Sequence, residues 1–232
     1  VSPFGDKPRT PTAVADLGVI DASVLSDPLI ARVDELAQAG MFEEGSFELI
    51  AKERALLGAW GGNRALPVLL DRYLAVKNFN RPWMLAIVRG GLWLDAPPEG
   101  AVRSWWLYAY PLAFRERVEK FEALGKNPPY FLYAIMRKET GFDPHVVSYA
   151  NAIGLMQMIP STTRRVVARL GLTYTEDFLF DPDKNMQVAS WYIGRLAQKF
   201  NGQIPLAAGS YNAGPRAMMR WVDQNGKRPL DE

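Results

Sequence analysis

Apolar residues recur at three- and four-residue intervals along most of the chain, and alternating apolar-polar runs are scarce. That pattern predicts helices rather than strands. Asp27-Pro28 reads as an N-cap with proline in the first turn, after which Leu29, Ile30, Val33, Leu36 and Ala37 keep helical spacing up to Gly40. A second helix opens at Ser46, carries Leu49, Ile50, Leu56 and Leu57, and closes at Gly61-Gly62. A third is capped by Asn63 and runs through Val68, Leu69 and Leu70 toward Lys77. Further helices are predicted over 82–94, 102–110 and 114–124. Short helices joined by short turns suit a hairpin array or solenoid, although no clean repeat period runs through them. Ahead of them, Pro3, Gly5, Pro8 and Pro11 predict an extended strap over residues 1–25.

The firmest punctuation is Gly125-Lys126-Asn127-Pro128-Pro129, where glycine stops a helix and two prolines cannot continue it. The expected division is therefore the strap, a helical arm over 26–127 and a helical domain over 128–232. In that domain, helices are predicted from Tyr130 to Lys138, from Pro160 to Gly171, from Asp181-Pro182 to Phe200, and from Pro215 to Gly226. A small hairpin between Asp143 and Ile153 stays open as an alternative to irregular loop. The fold class read from the pattern is all-α.

Composition changes the picture mainly by what is missing. The 232 residues contain no cysteine and one histidine. Disulfides, thiolate nucleophiles, Cys-based zinc and two-histidine metal centres are thereby excluded, and no metal or cofactor is expected. Only His145 could serve a Ser-His-Asp triad, and it follows a proline with no evident carboxylate partner. The formal net charge is +2 with signs interspersed, so no basic stripe marks a nucleic-acid partner. The longest apolar run, Trp105 to Phe114, is too short to cross a bilayer and contains Pro111. The chain opens at Val1-Ser2-Pro3, without methionine or a leader, as expected of a processed protein or a fragment.

Chemistry must then rest on carboxylates, amides, hydroxyls and aromatics. Glu139 follows the apolar residues Phe131, Leu132, Ala134 and Ile135. A carboxyl desolvated at the end of such a helix stays protonated near neutral pH, as a general acid requires. The competing reading pairs Glu139 with Arg137 or Lys138 on a solvated surface. Gly154-Leu155-Met156-Gln157 and Ser210-Tyr211-Asn212-Ala213-Gly214-Pro215 place small residues beside amide, hydroxyl and ring. That set suits a sugar. Asp143, before Pro144, reads as a turn residue capping backbone amides rather than a second catalytic carboxylate. Trp83, Trp93, Trp105 and Trp106 read as core anchors before sugar platforms.

Glu139-Thr140-Gly141-Phe142-Asp143-Pro144, Ser148, Gly154-Leu155-Met156-Gln157 and Tyr211-Asn212-Ala213-Gly214-Pro215 together resemble the ordered motifs of the soluble lytic transglycosylase family. The resemblance covers roughly residues 128–222. It implies a goose-lysozyme-like domain that cleaves the β-1,4 bond between N-acetylmuramic acid and N-acetylglucosamine, leaving a 1,6-anhydro end. Glu139 would be the single acid and then base. Thr140, Ser148, Met156, Gln157, Tyr211 and Asn212 would contact the substrate, with Ser148 equally able to satisfy its loop backbone and Asn212 read as shaping its turn before touching the sugar. The resemblance also implies a superhelical arm, peptidoglycan strands as partner, other cell-wall enzymes as further partners, and a periplasmic location.

Two departures accompany it. Thr140 stands where the family usually has serine. The chain also ends at Leu230-Asp231-Glu232, before the family's last helix with its Glu-Thr-Arg-x-Tyr signature, so the domain is expected to lack that helix. Three other readings stay open: a hydrolytic muramidase on the same fold, a non-catalytic peptidoglycan-binding scaffold, and a phage tail lysin.

Overall fold

The computed structural model describes Leu17 and residues 20–89, 96–100 and 102–226. Most of the expected strap, Trp93 and residues 227–232 lie outside the described residues. The chain forms two compact units that divide at Pro111/Leu112.

The first unit is built from helices α1 (Ala22–Leu25), α2 (Pro28–Gln38), α3 (Phe42–Trp60), α4 (Gly62–Ala75), α5 (Asn80–Arg89) and α6 (Val102–Ala109). Asp27 caps α2 as its sequence suggests, its side chain accepting from the Leu29 amide at 2.9 Å. The end of the expected strap is helical, because Asp21 caps α1 in the same way. Helix α3 starts at Phe42, four residues ahead of Ser46, and α4 starts at Gly62. From α2 to α6 each helix packs against the next, closing a core around Ile30, Leu49, Leu69 and Trp105. One carboxylate is buried in it. Glu53 accepts from the Tyr73 hydroxyl at 2.8 Å and from Arg81 through two bonds of 2.7 and 2.6 Å. Trp105 is core, and Trp106 stacks on Tyr110 at 5.4 Å.

The second unit contains α7 (Arg115–Gly125), α8 (Phe131–Glu139), α9 (Pro160–Leu170), a 3-10 turn (Glu176–Leu179), α10 (Pro182–Lys199), α11 (Ile204–Ala213) and α12 (Pro215–Asn225). Helix α7 lies ahead of the Gly125–Pro129 break yet belongs here, which moves the division from 127/128 to 111/112. The reason is a close helix crossing. A Cβ on Gly194 of α10 would strike the Gly125 carbonyl, and one on Gly125 would strike Ser190. Two glycines let the backbones touch. Asn127 fastens the crossing by donating to the Ser190 carbonyl and hydroxyl at 3.0 and 2.8 Å.

Helix α10 is the central post, packed by α7, α9, α11 and the 3-10 turn. Buried Glu122 of α7 accepts from the Tyr130 and Leu132 amides at 3.1 and 2.9 Å, satisfying the start of α8. Thus α8 is anchored at its N-terminus by one glutamate and ends on another. The segment between Asp143 and Ile153 folds back through two isolated antiparallel bridges, Val147 with Ile153 and Ile153 with Met158. Of the two forms left open there, the hairpin-like one is found. Helix α11 has no amphipathic period in sequence, which is why periodicity does not reveal it.

Candidate active site

Glu139 is the last residue of α8, whose Leu132, Ile135 and Met136 are buried. Its carboxyl is half-buried and accepts no hydrogen bond from the described residues. Burial pushes its pKa above the ordinary carboxylate value, against the opposing pull of the Lys138 ammonium. That is the state a general acid needs.

The next residue fixes where α8 ends. Thr140 is buried, and its hydroxyl donates to the Leu155 carbonyl at 2.9 Å, so it ties Glu139 to the Gly154–Gln157 turn. The chain then reverses through two left-handed residues, Gly141 (φ 57°) and Phe142 (φ 72°), with the Phe142 ring buried as a plug. Asp143 accepts from the His145 amide at 2.9 Å, the turn role its place before Pro144 suggests. His145 is exposed.

Gly154 has φ 75°, and any Cβ there would strike the Leu179 carbonyl and the Asn185 amide. Gln157 is also left-handed (φ 49°), and its Nε2 donates to the Val146 and Gly154 carbonyls at 3.0 and 3.1 Å. Its Oε1 accepts nothing from the described residues. Ser148 accepts from the Ala152 amide at 3.0 Å and its own amide donates to the Ala152 carbonyl at 2.9 Å, closing the hairpin-like turn. The Met156 side chain has no exposed surface, so a sugar cannot reach it in this arrangement. Its backbone carbonyl is the part that meets another motif residue.

Tyr211, on α11, donates to that carbonyl at 2.6 Å. Burial, the Glu139 carboxylate and Tyr192 all push the Tyr211 hydroxyl well above the ordinary phenol value. Glu139 and Tyr211 are thus electrostatic neighbours. Asn212 is exposed, and its side chain bonds to none of the described residues. The structure therefore gathers Glu139, Thr140, Met156, Gln157 and Tyr211 around one turn, with Ser148 in the adjoining hairpin.

Two residues escape the sequence reading. Asn185 of α10 is fully buried: its Oδ1 accepts from the Met156 amide at 3.0 Å, and its Nδ2 donates to the Ile153 and Leu179 carbonyls at 2.9 and 2.7 Å. It sits at four-residue spacing from the buried Ala189 and Ile193, a polar residue in an apolar register, and that was the available signal. Tyr192, also on α10, packs against Tyr211 with ring centres 6.0 Å apart. Among the described residues, no group of three or more His, Asp or Glu comes together to hold a metal ion.

Residues 117–232 match the family model described as Transglycosylase SLT domain. The chain belongs to that family. It is 27% identical over 217 residues to the soluble lytic murein transglycosylase of Escherichia coli (strain K12), covering 90% of this chain and 30% of that protein. It is 37% identical over 99 residues to the membrane-bound lytic murein transglycosylase C of Histophilus somni (strain 2336), covering 38% and 27%. The fold is similar to the crystal structure of the 70 kDa soluble lytic transglycosylase of Escherichia coli, with TM-score 0.64, 24% identity, and 90% and 31% of the two chains covered. A complex of the 70 kDa soluble lytic transglycosylase with bulgecin A has TM-score 0.64 at 23% identity, covering 90% and 31%. The chain thus spans about 30% of the length of the Escherichia coli relative. Among the described residues of this SLT-domain protein, no helix is long and apolar enough to cross a membrane.

Proposed function

We propose that this chain carries a lytic transglycosylase site that cleaves the β-1,4 bond between N-acetylmuramic acid and N-acetylglucosamine in peptidoglycan. The observation that carries the reading is the half-buried Glu139 carboxyl, which accepts no hydrogen bond from the described residues and has a raised pKa, set beside Tyr211 in a domain of the SLT family. Protonated Glu139 delivers its proton to the glycosidic oxygen as the bond breaks. The acetamido oxygen of the muramic residue stabilises the positive charge that develops. Glu139, now a carboxylate, takes the proton from that sugar's 6-hydroxyl, which closes the 1,6-anhydro ring. Atoms balance without a water.

One carboxylate acting twice suits this site. Asp143, the nearest acid in sequence, is engaged in its own turn. Tyr211 holds the Met156 carbonyl beside Glu139, and Gln157 Oε1, which accepts from none of the described residues, supplies polar contacts to the sugar together with Ser148 and Asn212. Thr140 acts through the backbone it fastens. The periplasm, the glycan strand as partner, docking of other cell-wall enzymes and strand guidance by the first unit belong to the same reading.

Mass spectrometry of digested sacculi tests it. Wild type should release products lighter by one water than hydrolysed muropeptides, and Glu139→Gln should release none. Reducing ends alone would replace the reading with a hydrolase, and undiminished turnover by Glu139→Gln would remove the assigned acid.

A further inference from the structure

Tyr149 stands at the tip of the hairpin-like turn that carries Ser148, and its exposure is 106%, so the ring packs against none of the described residues. The turn beneath it is braced. Ser148 and Ala152 exchange backbone and side-chain hydrogen bonds, and the Asn151 amide donates to the Ser148 carbonyl at 3.0 Å. Asn151 takes the left-handed conformation (φ 58°) that reverses the chain. At its base the Val146 carbonyl accepts from Gly154 and Gln157, so the tip is tied to the turn against which Thr140 and Tyr211 dock.

An unburied aromatic contributes nothing to the core. Held on a braced turn, it loses little freedom when a ligand covers it, since only two side-chain torsions remain to be fixed. Val147, which pairs with Ile153 in the same turn, is exposed as well. The occupant this arrangement fits is a pyranose ring, whose C–H face matches an aromatic face while its edge hydroxyls stay in water. Continuity sets which pyranose: Ser148 adjoins Tyr149, and the base of their turn is bonded through the Val146 carbonyl to Gly154 and Gln157, the motif to which Thr140 ties the end of α8.

We propose that Tyr149 is a sugar-stacking residue that holds the glycan strand at a ring beyond the one gripped at Ser148 and Gln157. The inference rests on the glycan-cleaving reading above. It makes Tyr149 a determinant of strand affinity rather than of bond cleavage.

Titration of peptide-free glycan strands into the full chain carrying Glu139→Gln tests it, alone and combined with Tyr149→Ala or Tyr149→Phe. Tyr149→Ala should weaken binding by about 3- to 10-fold and Tyr149→Phe by less than about twofold, the scale of one aromatic contact. The melting temperature should not move, because the ring is unpacked. On an active background, the loss should appear in the half-saturating strand concentration. Unchanged affinity in Tyr149→Ala overturns the proposal, and so does a Tyr149→Phe variant as weak as Tyr149→Ala, which would make the hydroxyl the contact. If wild type cleaves sacculi and Tyr149→Ala binds normally, only the tyrosine assignment falls. If wild type neither binds nor cleaves strands, the functional reading falls and this one with it.

Discussion

At Glu139 the fold accepts a carboxyl that burial disfavours when charged. A group whose folded pKa is raised favours the folded state below its unfolded pKa, and that advantage is lost as pH rises through the folded value. Glu139→Gln should therefore melt at or above the wild-type temperature at pH 7, with the difference closing in acid; thermal unfolding across pH checks this. Cleavage by wild type should fall as pH rises through the raised Glu139 pKa, because the acid form is consumed, and a pH-rate profile reads it directly. Asn185 is the converse case, a polar side chain that the fold cannot spare. Asn185→Ala strands the Met156 amide and the Leu179 carbonyl, and leaves the Ile153 carbonyl with the Met158 amide. The expected cost is about 3 kcal/mol, measured by urea unfolding, with a loss of hydrogen-exchange protection at Met156.

Among the elements, helices and turns differ in how openly the sequence declares them. Asp27-Pro28 and Asp181-Pro182 announce α2 and α10 because a cap and a proline act locally. Helix α11 goes undeclared: its run Ile204 to Ala213 is held by burial of Leu206, Ala207 and Ser210 against α10, which no periodicity records. The Gly154–Gln157 turn has a sequence signature, yet the need for its glycine is tertiary. Gly154→Ala meets both a left-handed φ and the Leu179 carbonyl, and Gly194→Ala meets the Gly125 carbonyl. Each should destabilise by about 3 kcal/mol or more in chemical unfolding, since backbone has nowhere to retreat. Gly154→Ala should in addition abolish cleavage.

For the whole molecule, the boundary is the instructive difference. Two prolines at 128 and 129 interrupt the chain but do not separate its cores, because Gly125, Glu122 and Asn127 bind α7 to α10 and α8 across the interruption. The first unit has its own core and its own buried charge. Burial alone would raise the Glu53 pKa, but the Arg81 and Tyr73 hydrogen bonds outweigh it and hold the carboxyl below its ordinary value. Its contribution is therefore present above the unfolded carboxylate pKa and lost as pH falls through the folded one, the opposite sign to Glu139. Arg81→Ala leaves Glu53 buried without its counter-ion, and calorimetry should record a loss of about 3 kcal/mol.

By itself the sequence determined that the chain is helical, where most helices start, that thiol and two-histidine chemistry are excluded, and that Glu139, Gln157 and Tyr211 belong to recognisable motifs. Those properties follow from local propensity, capping and residue type, which need no partner. Only the tertiary structure decided that α7 joins the second unit, that Thr140 bonds to the Leu155 carbonyl and Tyr211 to the Met156 carbonyl, and that Asn185 holds the turn. Long-range packing and hydrogen bonds set those roles, joining residues 15 to 69 positions apart whose spacing in sequence carries no period. The absence of cysteine and the single histidine said what the site could not be; the half-buried carboxyl at the end of α8 is what the proposed site is built around.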